Sequence, residues 1–569
     1  MQSIHLPSRL LDNLDRLNRN FLWGSSDLKR KMHWVGWSKV TRPKTEGGLG
    51  IQTAKGRNLA YLAKLNWRFH SEKDALWVQV LRKKYMTHRR QASPNESSLP
   101  SSRTWKAMRK GLDIFAKGTR WSLGRDSNIN FWFDNWTSNG PLRAIVQGPL
   151  TRGEEDIKVK DLVSDLGWDW GKISITLPSQ IVMEIRAMPR SCIASTEDRM
   201  IWAATSNGRL NLSSAYLLSI QQPEPHHYFN GTWVWKLNVL PRVQFFIWMC
   251  LHNSIATREC LATRGIPVNT SCPICHQESE TIIHLLRDCS FAVNCWHNLG
   301  VNSRADFFSM NLQDWLKINC KVNIKSGSMG IPWNVIFAFG VWTIWQHRNR
   351  VVFQNHGPNY DIHVEVIHRT TEFVFCAQDN SHKSPRVERS IRWERPYCNW
   401  FKLNIDGSAL GNPGTAGGGG ILRSDSGVWI QAFSRSIGKT TSFLAELWAL
   451  RDGLIMCLNL RISALEVEID AQAIVELMNN DNTSNANNSS LVADCRLLIS
   501  QVPQIKVSHC YREANACADA LSRIGSLQDS DMLYYDSPPS NLLEVYLADL
   551  YGLFHFRCCP DSAVVASGS

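Results

Sequence analysis

Three segments of the chain place a carboxylate at the end of an apolar-alternating strand or beside the apolar stripe of a helix. Phe401, Leu403 and Ile405 alternate with Lys402, Asn404 and Asp406, the period-two pattern of a half-buried strand ending in an acid. Leu465, Val467 and Ile469 alternate in the same way with Glu466, Glu468 and Asp470. Between them, Phe443, Leu447, Leu450 and Leu454 mark the apolar stripe of a helix, and Glu446 lies beside that stripe. A last helix, starting near Glu513–Asn515, carries Asp519. If the two strands are parallel neighbours, Asp406 and Asp470 converge. Clustered carboxylates repel each other and are costly unless cations lie between them. Magnesium suits such a cluster, because it takes hard oxygen ligands in near-octahedral geometry. Two such ions about 4 Å apart can activate a water and stabilise the leaving oxygen of a phosphodiester.

A second constellation is Cys272-Pro-Ile-Cys275 followed by His284 and Cys289, spaced C-x2-C-x8-H-x4-C. Three thiolates and one imidazole suit a closed tetrahedral zinc site, which is structural because no position is left for water. Cys295 and His297 are the spare ligand candidates, and Cys260 falls within a helical pattern. The N-terminal stretch MQSIHLPSRLLDNLDRLNRNFLWG carries charges where a secretory signal needs an apolar run. The 16 cysteines are therefore expected as free thiols or metal ligands in a reducing, intracellular compartment, nuclear or cytoplasmic.

The elements that must position these groups follow from local pattern. GNPGTAGGGG (411–420) reads as a glycine-rich loop, and ILRSDSGVWIQAFSR (421–435) as a hairpin turning at Asp425–Gly427. Leu59, Leu62, Leu65, Leu76 and Val80 recur at helical steps, and WSLGRDSNINFWFDNW (121–136) suggests a strand pair. GGLG (47–50) and SPNESSLPSS (93–102) read as loops, QQPEPHH (221–227) as a connector and 377–396 as a polar linker. Residues 331–353 read as a strongly apolar helix, and 541–551 as a further helix before a small-residue tail. A chain of 569 residues is too long for one core. Its 43% hydrophobic and 20% charged residues are those of a globular protein. The net charge of +13 is unevenly spread: residues 1–110 hold 23 Lys+Arg against 7 Asp+Glu, and residues 401–569 hold 11 against 18. A basic front suits a polyanionic partner.

DGSALGNPGTAGGGGILR (406–423), AELWAL (445–450), EIDAQAIV (468–475) and HCYREANACADAL (509–521) resemble the strands, loop and helices of type 1 ribonuclease H. The resemblance implies Asp406, Glu446, Asp470 and Asp519 as ligands of two catalytic Mg2+ ions, and His509 in proton transfer and product release. It also implies substrate contacts from Asn412, to RNA 2′-hydroxyls, and from Gln472. Ser442 departs from the bacterial pattern, which has an RNA-contacting asparagine four residues before the glutamate. FIWMCLHNSIATRECLATRGIPVNTSCPICHQESETIIHLLRDC (246–289) and GRLNLSSAYLL (208–218) resemble the zinc-binding domain of plant non-LTR retrotransposon reverse transcriptases. FLWG (21–24), WSKVTRPKTEGGLGIQ (37–52), LAKLNWR (62–68) and IWQHRNRVVF (344–353) are similar to neighbouring parts of the same proteins.

The expected architecture is multidomain. Mostly α-helical N-terminal and zinc-binding regions precede an α/β ribonuclease H-like domain with a mixed five-stranded sheet. The expected boundaries are a basic segment at 1–150, a connector at 151–225, the zinc-binding domain at 200–300, a helical linker at 301–395, the ribonuclease H domain at 398–525 and a tail at 526–569. The expected activity is cleavage of RNA in RNA:DNA hybrids, and the second reading is a non-catalytic nucleic-acid-binding remnant. An exonuclease or integrase of the same fold fits the Glu446 helix, the GNPG loop and His509 less well. No Tyr/Phe-x-Asp-Asp motif occurs, so DNA synthesis by this chain is not expected, and it reads as the C-terminal piece of a longer element.

Overall fold

The computed structural model describes residues 3–86, 101–164, 167–205, 207–220, 231–301, 306–324, 330–354, 357, 359–377, 386–480 and 489–560. The proposed connector 221–227, most of the 93–102 loop and the small-residue tail lie outside the described residues. Two compact units form: residues 1–5, 59–219 and 384–569 make one, and residues 6–58 and 220–383 the other.

The second unit is helical. Its core gathers Trp248, Trp296, Trp315 and Phe337, all fully buried, around the long helix Trp333–Gln354. That helix is apolar on nearly every face, as a central helix must be. Its one deeply buried charge, Arg348, grips Glu280 through two contacts of 2.6 and 2.7 Å. Val35 and Val40 join this core, so the basic N-terminal segment is divided between the two units. Residues 301–395 are likewise not a plain linker, because Phe307, Trp315 and Trp333 are core members.

In the first unit, the strand pair expected in 121–136 does not form. Thr119–Ser122 pairs antiparallel with Arg199–Trp202 instead. The Asn130 side chain accepts the N–H groups of Trp132 and Phe133, and Asp134 accepts that of Asn130. Such local side-chain bonds bend the chain away from an extended ladder. Within the connector expected at 151–225, described residues join a core: Val159, Leu162, Ile181 and Ile185 pack with Phe131, Trp132 and Trp136.

Glu154, in that layer, is only 3% exposed. Burial alone would raise its carboxyl, but donation from Ser174 and Thr151, each through both N–H and hydroxyl, holds it down to about 2. Its contribution to stability is complete above about pH 4.5 and lost as pH falls toward 2. Glu154→Gln should therefore destabilise the protein at neutral pH by up to about 3 kcal/mol. The deficit should shrink on acidification toward pH 3 in denaturant titrations; a pH-independent loss would refute the assignment.

The carboxylates belong to a sheet assembled from β1 (Phe401–Gly411), β2 (Gly414–Arg423), β3 (Trp429–Thr440), β4 (Ala464–Ile469), β5 (Gln504–His509) and β6 (Met532–Tyr535). The spatial order is β5-β4-β1-β2-β3-β6, with β1, β4 and β5 parallel and the rest antiparallel. The sheet thus has six strands rather than five. The extra strand lies in the supposed tail, where Met532–Tyr535 covers the open edge of β3. Helices α1 (Ser442–Asn459), α2 (Gln472–Asn479), α3 (Ser489–Gln501), α4 (Ala516–Leu527) and α5 (Leu543–Leu550) complete the domain. The proposed linker at 377–396 also contains a strand, Arg386–Ile391, which pairs with His555–Pro560.

The glycine-rich stretch is mostly strand. A Cβ at Gly417 would lie 2.1 Å from the backbone of Ser526, and one at Gly419 2.3 Å from that of Ser522, so the glycines let α4 lie directly on β2. Gly407 does the same for α1: a Cβ there would sit 2.1 Å from Glu446 N. The hairpin between β2 and β3 turns at Asp425–Gly427 as expected, with Gly427 at φ 86°.

Candidate active site and metal centre

Parallel pairing of β1 with β4 sets Ile405 opposite Ile469, so the next residues, Asp406 and Asp470, emerge side by side at one end of the sheet. The close approach at Gly407 drops Glu446 onto them. Oxygen atoms of Asp406, Glu446 and Asp470 all lie within 4.8 Å of one another. Asp406 and Glu446 are each 6% exposed. Burial, reinforced by the charges of Asp470 and Asp519, raises the Asp406 carboxyl to about 6, although the Ser522 hydroxyl donates to it. Burial and then the charges of Asp406 and Asp470 push Glu446 well above the usual carboxylate range. One Glu446 oxygen, Oε2, is buried without a hydrogen-bond partner. Three crowded acids and an unpartnered buried oxygen are the donor set of a hard divalent cation, which would relieve both penalties.

The other site residues take different places. Asp519 stands half-buried on the first turn of α4 and is outside the close group, in an ion pair with Arg523 one turn on at 3.0 Å. His509 ends β5 opposite Ile469, exposed, with its ring edge-on to Tyr511. Asn412 donates to the Ser442 hydroxyl at 3.4 Å, joining the glycine-rich turn to the start of the Glu446 helix. Gln472 is exposed on α2 and donates to Glu476 at 3.1 Å.

Two contributors were missed from the sequence. Ser522 lies three residues after Asp519, one helical turn on, and that spacing could have marked it. Arg512, 84% exposed, reaches Asp470 with Nε at 3.0 Å. No local pattern distinguishes it from a surface arginine.

In the helical unit the four zinc candidates converge. Cys272 and Cys289 sulfurs are 3.9 Å apart, Cys275 Sγ is 3.4 Å from His284 Nε2, and all four ligand atoms lie within 4.8 Å of one another. His284 opens a widened π turn, His284–Asp288, that delivers its ring to the cysteines. Its Nδ1 faces Glu278 at 3.0 Å, the outer contact that fixes a metal-binding imidazole. Hydrogen bonding to Cys289 and His284 pulls the Cys272 thiol well below its ordinary range, which favours the anionic form that a metal takes. This set matches a closed tetrahedral zinc site. The spare candidates fall outside it: Cys295 is fully buried in the apolar core, and the His297 ring lies against Phe308; Cys260, which falls in a helix, bonds the Asn253 carbonyl.

Two family models match. Residues 404–525 fit the family described as reverse transcriptase-like, and residues 211–296 fit that of zinc-binding in reverse transcriptase. A protein of Arabidopsis thaliana described as "putative ribonuclease H protein" is 33% identical over 566 residues, covering 97% of this chain and 90% of its own length. An uncharacterized mitochondrial protein of the same plant is 28% identical over 137 residues, 24% of this chain and 88% of its own. Among solved structures, ribonuclease H1 of Halobacterium salinarum is 26% identical, covering 22% of this chain and 96% of its own, with a TM-score of 0.22.

Proposed function

The chain belongs to the family of the putative ribonuclease H protein of Arabidopsis thaliana, with a reverse transcriptase-like region at 404–525 and a reverse transcriptase zinc-binding region at 211–296, and from that premise we propose that it is a type 1 ribonuclease H, cutting the RNA strand of RNA:DNA hybrids endonucleolytically. The observation that carries this reading is the meeting of Asp406, Glu446 and Asp470 within 4.8 Å, with a buried Glu446 oxygen unpartnered. Asp406, Glu446 and Asp470 would hold the cations, with Asp519 at the rim. Two magnesium ions, when bound, would activate the attacking water and stabilise the leaving oxygen.

The chain's own groups set up the reaction. Ser522 fixes the Asp406 carboxylate, and Arg512 offsets the charge of Asp470. His509, at the end of β5 and open to solvent, would move a proton at the departing product. Asn412 and Ser442 would meet the 2′-hydroxyl that separates RNA from DNA. The zinc site is structural, and the basic regions would hold the polyanionic substrate.

The full chain is the material to test. Segment 191–194 is bonded to Asp494 of α3, through Ser191 Oγ at 2.7 Å and Ala194 N–H at 2.8 Å, so the carboxylate domain does not end at its family boundary. With magnesium, the purified protein should cut the RNA of an end-labelled hybrid to 5′-phosphate fragments and spare double-stranded DNA. A folded, metal-loaded protein that binds the hybrid without cutting it is instead the non-catalytic remnant.

A further inference from the structure

An open groove of about 1300 Å³ lies in the same unit as the carboxylates, away from their cluster. Its walls come from residues 61–73 of the helix Ala54–Ser71 and the turn after it, from the strand Arg199–Trp202, from the turn at 207–210 and from α3. Seven lysines and arginines line it against three acids. Two of those acids are already engaged: Glu72 by Arg68 at 2.7 Å, and Asp198 by the N–H groups of Gly124 and Asn128, both at 3.0 Å. Lys64, Lys73, Arg199 and Arg209 are exposed, and among the described residues none of them meets an acid within ion-pair distance. Between these cations the half-buried rings of Tyr61, Trp67 and Trp121 face the same space.

Uncommitted cations interleaved with aromatic rings suit a ligand that offers repeated negative charge and flat apolar faces together. An acidic peptide supplies the first without the second. A paired duplex hides its base faces in the stack, whereas an unpaired strand presents both. The volume exceeds the roughly 300–1,000 Å³ of small-molecule sites, which points to an extended ligand. We propose that this groove binds a single polynucleotide strand, its phosphates on Lys64, Lys73 and Arg199 and its bases against Trp67 and Trp121. The groove deepens the nucleic-acid reading given above and is independent of whether the carboxylates cut. An RNA:DNA hybrid with a single-stranded overhang would engage both sites.

The test is fluorescence anisotropy with the full chain and a fluorescein-labelled oligothymidylate of about 20 nucleotides. Lys64→Gln, Lys73→Gln and Arg199→Gln combined should weaken binding about tenfold or more at about 0.1 M salt, and should lower the slope of log K against log salt by about 2. Trp121→Leu should weaken binding about fivefold or more and leave that slope unchanged. An unchanged affinity and slope in the triple variant overturns the proposal, as does equal competition by blunt duplex DNA. Thermal melts matching the wild type show that the variants fold. Cutting of a blunt hybrid, measured on the same preparations, separates the outcomes: strand binding without cutting keeps the groove and removes the nuclease, and cutting retained by a triple variant that no longer binds the strand keeps both.

Discussion

Asp406→Asn should abolish cutting of an RNA:DNA hybrid and, in the absence of divalent cations, should stabilise the protein at about pH 8. Both outcomes come from one feature, a carboxylate buried among others. The loss of activity should be on the order of 10³-fold or more, the scale of removing one member of a group that acts as a unit. Asp470→Asn and Glu446→Gln should do the same. The gain in stability follows from the direction of the shift. Burial first, and the charges of Asp470 and Asp519 next, raise the folded carboxyl from 3.8 to about 6. Between those values the folded state keeps a proton that the unfolded chain has lost, so stability falls as pH rises through the window. The deficit is complete above pH 6 and amounts to at most about 3 kcal/mol. Asparagine carries no charge and removes it. Chemical unfolding with a chelator present should therefore favour the variant at about pH 8 and show no difference at about pH 4. Hybrid cutting that survives the substitution near the wild-type rate would remove Asp406 from the metal site. A variant less stable at both pH values would show that its carboxylate is not under electrostatic strain.

Cys272→Ser should take the zinc content from about one ion per chain to none, and should unfold the helical unit. Structural zinc in small domains contributes about 10 kcal/mol or more of apparent folding energy at neutral pH, comparable to the whole stability of a domain. Cys272 itself is fully buried, so a serine there loses its cation and gains a desolvated hydroxyl. Limited proteolysis should then open sites within residues 231–354. Hybrid cutting should survive, because the carboxylates lie in the other unit. Glu278→Gln is the milder companion: the His284 ring loses its charged partner, and zinc affinity should fall about tenfold or more while the fold remains. Metal analysis of the purified variants decides both. A Cys272→Ser protein that keeps stoichiometric zinc would place the ion elsewhere.

Both candidate sites were legible for the same reason: their ligands sit at spacings dictated by local structure. C-x2-C is the reach of one turn, and an acid that ends an alternating strand emerges at the sheet edge wherever that strand is placed. The hairpin at Asp425–Gly427 and the helix around Leu447 are local too, and both stand as expected. The strand pair expected in 121–136 failed because the competing bonds of Asn130 and Asp134 outweigh a weak alternation. Residues 151–225 looked like a connector because their apolar side chains follow no single period. They are spread over short helical turns that become a core only against Phe131 and Trp136.

By itself, the amino-acid order determined which carboxylates and thiolates could act together and which strands and helices carry them, because those are properties of neighbours in the chain. Tertiary structure alone decided how the carboxylates meet. Asp406, Glu446 and Asp470 come within 4.8 Å because β1 and β4 lie parallel and Gly407 lets a helix touch a strand, contacts between residues 64 apart (Ile405 and Ile469) and 39 apart (Gly407 and Glu446). It also turned the polar face of β1 inward, where Lys402 and Asn404 are buried against Glu468, and set Asp519 apart from the cluster it was expected to complete. Charge and burial depend on every neighbour in space at once, and no period in the sequence encodes that sum.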